Sequence, residues 1–154
     1  MKITDFLDPK AVTLKLESTD KEGVLQELVS ILAQVKDLGD KKAVVKSLID
    51  RENLGSTGIG QGIAIPHGKT DRVKELSACL GISQKGVNFD SLDGESVYIF
   101  FLLVAPKDSA GPHLKALARV SRLLRDSYFC TLLRNTKSEK ELYDLIASEE
   151  EKKH

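Results

Sequence analysis

The sequence carries no surplus of either charge and no apolar run long enough to span a bilayer. Acidic and basic residues number 23 each among 154, which removes the general attraction of a basic protein for nucleic acid or an anionic membrane. Met1-Lys2-Ile3-Thr4-Asp5 lacks the apolar core of a signal peptide, so the expectation is a cytoplasmic protein with no direct membrane insertion. Cysteine is scarce. Cys79 and Cys130 stand in apolar surroundings without C-x-x-C spacing and read as buried thiols in a reducing compartment rather than a disulfide. There is no G-x-S-x-G elbow to suggest a serine hydrolase. His67 and His113 have no third His, Cys or carboxylate at ligand spacing, which argues against a catalytic zinc site, where three protein ligands are usual.

What is present is one domain's length of chain, 41% apolar and 30% charged, enough to bury its own core. It is organised around the stretch from Gly55 to Lys69. Glycines at 55, 58, 60 and 62 give a permissive backbone that tightens into Ile63-Ala64-Ile65 and then delivers Pro66 and His67. Proline fixes its own φ and pushes Ile65 towards an extended conformation, so His67 leaves the run at a defined angle, with Gly68 adding no bulk. A dinucleotide-binding fingerprint is excluded, because the third glycine arrives one residue early and the preceding segment looks helical. The competing interpretation is a plain turn beside a scaffold histidine.

Val12-Thr13-Leu14-Lys15-Leu16 alternates apolar and polar residues and predicts a strand with one buried face. Thr19-x-x-Glu22 has capping-box form, and Val24, Leu25, Leu28, Val29, Leu32 and Val35 follow at the helical period. Gly39 closes that helix, Asp40 is placed to cap a second, and Val44, Val45, Leu48 and Ile49 carry it to about Glu52. Leu76 to Ile82 reads as a strand and residues 86–94 as a loop. Val97 to Val104 reads as a strand apolar on both faces, which belongs inside a sheet with helices on either side. The fold class is therefore α/β.

After Pro106, Ser109 is a candidate cap, and Gly111-Pro112-His113 opens a helix with an apolar face of Leu114, Leu117, Ala118, Ser121 and Leu124. Lys115, Arg119, Arg122 and Arg125 fall largely outside that face and read as solvated. A short helical stretch follows over residues 129–133. Ser138-x-x-Glu141 opens a last helix with Leu142, Leu145 and Ile146 inward, completing a domain over residues 1–148. Residues 149–154 read as a charged tail, with His154 disordered and outside any site.

His67 and His113, each at an element boundary marked by Gly and Pro, suit an anion. Free amides at a helix start attract negative charge, and the same dipole lowers the pKa of a histidine there, keeping His113 neutral and able to donate one N–H. With the planar donor fork of Arg51 and loop amides freed by glycine, a phosphoryl group beside His67 is held from several directions, and His67 becomes the nucleophile. For Arg51 a second role stays open, since a cation near a helix carboxyl end is favoured by the dipole alone.

The run Arg51-Glu52-x-Leu54-Gly55-Ser56-Thr57-Gly58-x-Gly60-x-Gly62-Ile63-Ala64-Ile65-Pro66-His67-Gly68 closely resembles the enzyme IIA domains of the bacterial phosphoenolpyruvate-dependent sugar phosphotransferase system, in the fructose/mannitol/nitrogen-regulatory class. The likeness continues through Val87-x-Phe89-Asp90-x-x-Asp93-Gly94, Val104-Ala105-Pro106 and His113-Leu114-x-x-Leu117-Ala118-Arg119. It implies a mixed sheet between helices and no cofactor. It implies also that His67 accepts a phosphoryl group on Nε2 from the phosphorylated histidine-containing phosphocarrier protein, with His113 and Arg51 in support. In the transport branch the recipient is a cysteine or histidine on a IIB component of a permease for fructose or a related sugar. In the regulatory branch phosphorylation switches binding to other proteins. A non-catalytic binding module of the same fold is a third alternative, against which the presence of both histidines and Arg51 speaks.

Overall fold

Strand β6 (Val97–Pro106) is buried on both faces, and the other elements are laid against it in the computed structural model, which describes residues 1–152. Ile99, Phe101 and Leu103 join one apolar cluster, while Phe100, Leu102 and Val104 join the other. This is the alternation that the strand period of two requires. Antiparallel β5 (Ser77–Val87) lies along one edge of β6. Along the other edge two short parallel strands follow one another, β3 (Ile63–Ala64) and then β4 (His67–Thr70). Outside these lie β1 (Leu7–Thr13), parallel to β5, and β2 (Gly58–Gly60), antiparallel to β3.

Helices α1 (Lys21–Ala33) and α2 (Lys41–Asn53) cover one face, sending Leu25, Leu28, Leu32, Val44 and Leu48 into its cluster. The other face is covered by α3 (Ala110–Leu123), α4 (Ser127–Arg134) and α5 (Glu139–Lys152), through Val120, Phe129, Leu142 and Ile146. The result is the expected α/β architecture of a mixed sheet between helices. Cys79 and Cys130 are both buried, and burial pushes the Cys79 thiol pKa up. No helix among the described residues is long and apolar enough to cross a membrane.

Several boundaries differ from those read in the sequence, each for an identifiable reason. β1 begins at Leu7 rather than Val12, across Pro9, at the sheet edge where a proline is tolerated. Leu14 and Leu16 are buried beyond its end, and Leu16 donates its N–H to the Ile82 carbonyl. The cap of α1 is Asp20, not Thr19, because its carboxylate accepts from the Gly23 N–H at 2.7 Å. β5 runs past the expected loop boundary to Val87, with a register shift between Ile82 and Val87 that absorbs Gly86. Ser109 does stand at the α3 N-cap, but its hydroxyl donates to the Pro106 carbonyl instead of capping.

Two larger corrections concern α3 and the carboxyl end. Two rows of α3 have helical spacing, and the inward one is His113, Ala116, Val120 and Leu123, with Leu124 also buried. Ala118 is exposed and Leu114 is left 67% exposed, because α3 packs into the cluster shared with Ile3 and Phe129 rather than on the row that begins at Leu114. The charged tail is not wholly a tail. α5 continues to Lys152, and Glu150 is buried, accepting from the Ile3 N–H and facing the Arg119 guanidinium at 3.5 Å. Arg119 is accordingly half-buried rather than solvated. The expectation for His154 falls outside the described residues.

Gly58 ties this frame to the loop of residues 88–96. A Cβ there would stand 2.2 Å from Ser91 Oγ and 3.1 Å from Ser91 Cα. Gly58→Ala is therefore expected to cost about 1–3 kcal/mol of stability, read as a lower urea midpoint at unchanged m-value. An unchanged midpoint would mean that β2 and this loop part without cost.

Candidate functional site

The site begins where α2 ends. Asp40 caps the helix start through the Lys42 and Ala43 amides, and the last turn of the helix presents Arg51. The Arg51 guanidinium donates to the Gly55 carbonyl at 2.8 Å, closing the helix end as its dipole favours. The glycine run then folds into the β2–β3 hairpin, whose turn places Gly60, Gln61 and Gly62 at φ of 94°, 59° and 80°. Glycine at 60 and 62 is required by that left-handed backbone.

β3 and β4 share one edge of β6 but do not join, since the chain is broken at Ile65-Pro66. Proline has no N–H for the ladder, and its carbonyl instead accepts from Leu103 at 2.9 Å. His67 opens β4 opposite Leu103. Its Nδ1 lies 2.8 Å from the Ile65 carbonyl, and a carbonyl only accepts, so Nδ1 carries the proton and Nε2 keeps a lone pair. Burial pushes the His67 pKa below its ordinary value; the Ile65 hydrogen bond opposes this, Arg51 adds to it and Glu52 opposes it.

His113 comes from the other side of the sheet. It lies in the opening turn of α3, 3% exposed, with its ring edge-on to His67 at 5.5 Å between centroids. Neither ring nitrogen has a hydrogen-bond partner among the described residues. Burial, then the positive charge of His67 and of Lys69, lowers its pKa to about 4. The sequence reading had the direction but gave the helix dipole as the cause. Neutral His113 thus holds one N–H and one lone pair that no protein group among the described residues engages, which leaves the N–H open to an acceptor in the groove.

Arg51, His67 and His113 line one groove of about 410 Å³, together with Lys69, Leu54 and Leu114. Ala110 lines it too, so the start of α3 lies at the groove. All three residues singled out in the sequence are therefore neighbours in space. Lys69 was missed, although it stands two residues after His67 on the same strand, and the period of two was the available signal. A larger groove of about 530 Å³ between α1 and α2 is lined by Val29, Val45 and Ile49 together with lysines, and no histidine lines it.

The fold and the sequence both have relatives. A crystal structure of the nitrogen regulatory protein IIA-Ntr from Neisseria meningitidis superposes with a TM-score of 0.87 at 30% identity, covering 94% of this chain and 98% of that one. Residues 5–149 match the family described as phosphoenolpyruvate-dependent sugar phosphotransferase system, EIIA 2, and the chain belongs to it. Among curated relatives, a nitrogen regulatory protein from Bradyrhizobium diazoefficiens is 37% identical over 96% of this chain and 95% of its own length. The fructose-specific EIIABC component of the phosphotransferase system from Bacillus subtilis is 38% identical over 95% of this chain. This chain spans 23% of that relative's length.

Because both histidine shifts are downward, the unfolded chain binds more protons than the folded one below the ordinary value of 6.5. The histidine contribution to stability is present in full above that pH and is lost as pH falls towards about 4, where His113 titrates. An NMR titration is expected to place the His113 midpoint near 4, and His113→Gln should flatten the loss of stability across this window. A midpoint at the ordinary value would mean that the ring is solvated.

Proposed function

We propose that this chain is a phosphoryl carrier, and the observation that carries the reading is the fixed lone pair of His67 Nε2 beside the unpartnered ring of His113. Nε2 attacks the phosphorus of the donor's phosphohistidine. The new P–N bond forms as the donor's P–N bond breaks, and the electron pair of the broken bond returns to the donor ring. The donor is the phosphorylated histidine-containing phosphocarrier protein. The phosphoryl group in flight is met by the His113 N–H, the Arg51 guanidinium, Lys69 and the start of α3. Transfer between side chains asks for positioning and charge stabilisation, which these residues supply, and not for a cofactor.

The product ring keeps its proton on Nδ1 against the Ile65 carbonyl. From there the group passes in the cytoplasm to a IIB component for uptake of fructose or a related sugar, a reading supported by the likeness to the fructose-specific EIIABC component. A second reading is a nitrogen-regulatory protein whose phosphorylation state controls binding to other proteins. It is favoured by the 37% identity to the Bradyrhizobium protein and by the superposition on IIA-Ntr. Charging the protein with phosphoenolpyruvate and the upstream carriers, then adding purified IIB proteins, separates the two: discharge by a IIB protein supports transport. Full retention beside phosphorylation-dependent binding of another protein supports regulation.

His67→Ala is expected to abolish acid-labile, base-stable labelling, whereas Cys79→Ala and Cys130→Ala leave it intact. Histidine labelling that persists without His67 would sink the assignment. His113→Ala should still be charged on His67 but about a hundredfold more slowly, the loss of one oriented donor costing about 3 kcal/mol, and His113→Gln should recover part of the rate. Phosphate found on His113 of the unmutated protein would reverse the roles. Arg51→Lys keeps the charge without the fork, so transfer should fall well before melting temperature does; wild-type transfer in Arg51→Lys with early melting in Arg51→Ala would leave Arg51 as a helix-end residue only.

A further inference from the structure

Glu52 directly follows Arg51, near the end of α2, where a negative charge works against the helix dipole. It is also buried, 6% exposed, and a buried carboxylate is costly unless paired and hydrogen-bonded. Two penalties at one position ask what offsets them. The carboxylate accepts from the Thr57 N–H at 3.1 Å and from the Thr57 hydroxyl, and pairs with Lys21 Nζ at 3.2 Å. Lys21 in turn reaches Asp90 at 3.4 Å and lies 4.9 Å over the Phe89 ring. Thr57 belongs to the glycine loop, Lys21 to the first turn of α1, and Asp90 and Phe89 to the loop of residues 88–96, so neighbouring residues of α2 serve opposite sides: Arg51 the groove, Glu52 the inside of the loop.

The chain of contacts continues from Thr57. Its carbonyl accepts from the Ile65 N–H at 3.0 Å, and the Ile65 carbonyl accepts from His67 Nδ1 at 2.8 Å. We infer that Glu52 is a positioning residue for phosphoryl transfer. With Lys21 it fixes Thr57, and through the Thr57–Ile65 main-chain bond it holds the carbonyl that keeps the His67 proton on Nδ1 and the lone pair on Nε2. This rests on the reading of His67 as the phosphoryl acceptor.

Imidazole 15N shifts report the His67 tautomer without any phosphorylation, and mass spectrometry after charging reports transfer separately. In the unmutated protein neutral His67 is expected as the Nδ1–H tautomer alone. Glu52→Ala, shown by its amide spectrum to be folded, is expected to mix the two tautomers and to slow charging of His67 by about ten- to a hundredfold. Glu52→Gln, whose amide oxygen still accepts from Thr57, should keep the tautomer and most of the rate. Its His67 should titrate lower than in the unmutated protein, because the charge that favours the imidazolium is gone.

Should Glu52→Ala not fold, Thr57→Val and Lys21→Met each remove one link at nearly constant volume, and both are expected to mix the tautomers. A folded Glu52→Ala, or both substitutes, with pure Nδ1–H His67 and unmutated charging rate overturns the inference. If the tautomers mix as expected while the unmutated protein carries no phosphoryl group on His67, the positioning of the ring stands and the acceptor reading fails.

Discussion

One hydrogen bond, from His67 Nδ1 to a carbonyl two residues earlier, decides which ring nitrogen faces the groove. It forms only if the chain turns between Ile65 and His67, and the turn is held because both flanking strands are pinned to the same edge of β6. β6 holds two pieces of strand in line because it lies rigidly between two apolar clusters. Burial of the central strand, the interruption at Pro66 and the free lone pair on Nε2 are thus one causal sequence. Loosening the core beneath β6 would disturb the orientation of the His67 ring.

His113 shows the same dependence from the other face. Its two ring nitrogens have no partner among the described residues, and the ring stays buried because Ala116, Val120 and Leu123 on the same helix row draw that side of α3 inwards. For the proposed transfer, burial of the ring would lessen the desolvation that contact with a phosphoryl group requires. Leu114, turned out by the same rotation, becomes part of the groove's rim.

Much of this was legible in the sequence where local chemistry dictates geometry. The doubly apolar run of β6, the cap at Asp40, and the Gly-rich approach to Pro66-His67 each act over a few residues, and each led to the structure observed. Distance in sequence was no obstacle where both ends were marked, as with Arg51, His67 and His113. The errors arose where two local readings were equally good: Leu114-Leu117-Ala118 and Ala116-Val120-Leu123 have the same period on one helix, and only packing against Ile3 and Phe129 separates them. Glu52 was quoted within the motif without a role, because its partners Lys21 and Thr57 lie on different elements and no spacing joins them. Glu150 looked like one more charge in a charged run, and its burial depends on the N–H of Ile3 at the far end of the chain.

That contact between Glu150 and Ile3 has a topological consequence. The first turn and the last helix meet, so the described residues are nearly closed as a loop, with Ile3 and Glu150 side by side. A polypeptide of this kind can be set between other segments without being stretched across the domain, and its ends can be joined and reopened elsewhere with the same core retained. The buried carboxylate is the clasp of that ring, and it lies on the opposite side of the sheet from α2, the helix that carries Arg51.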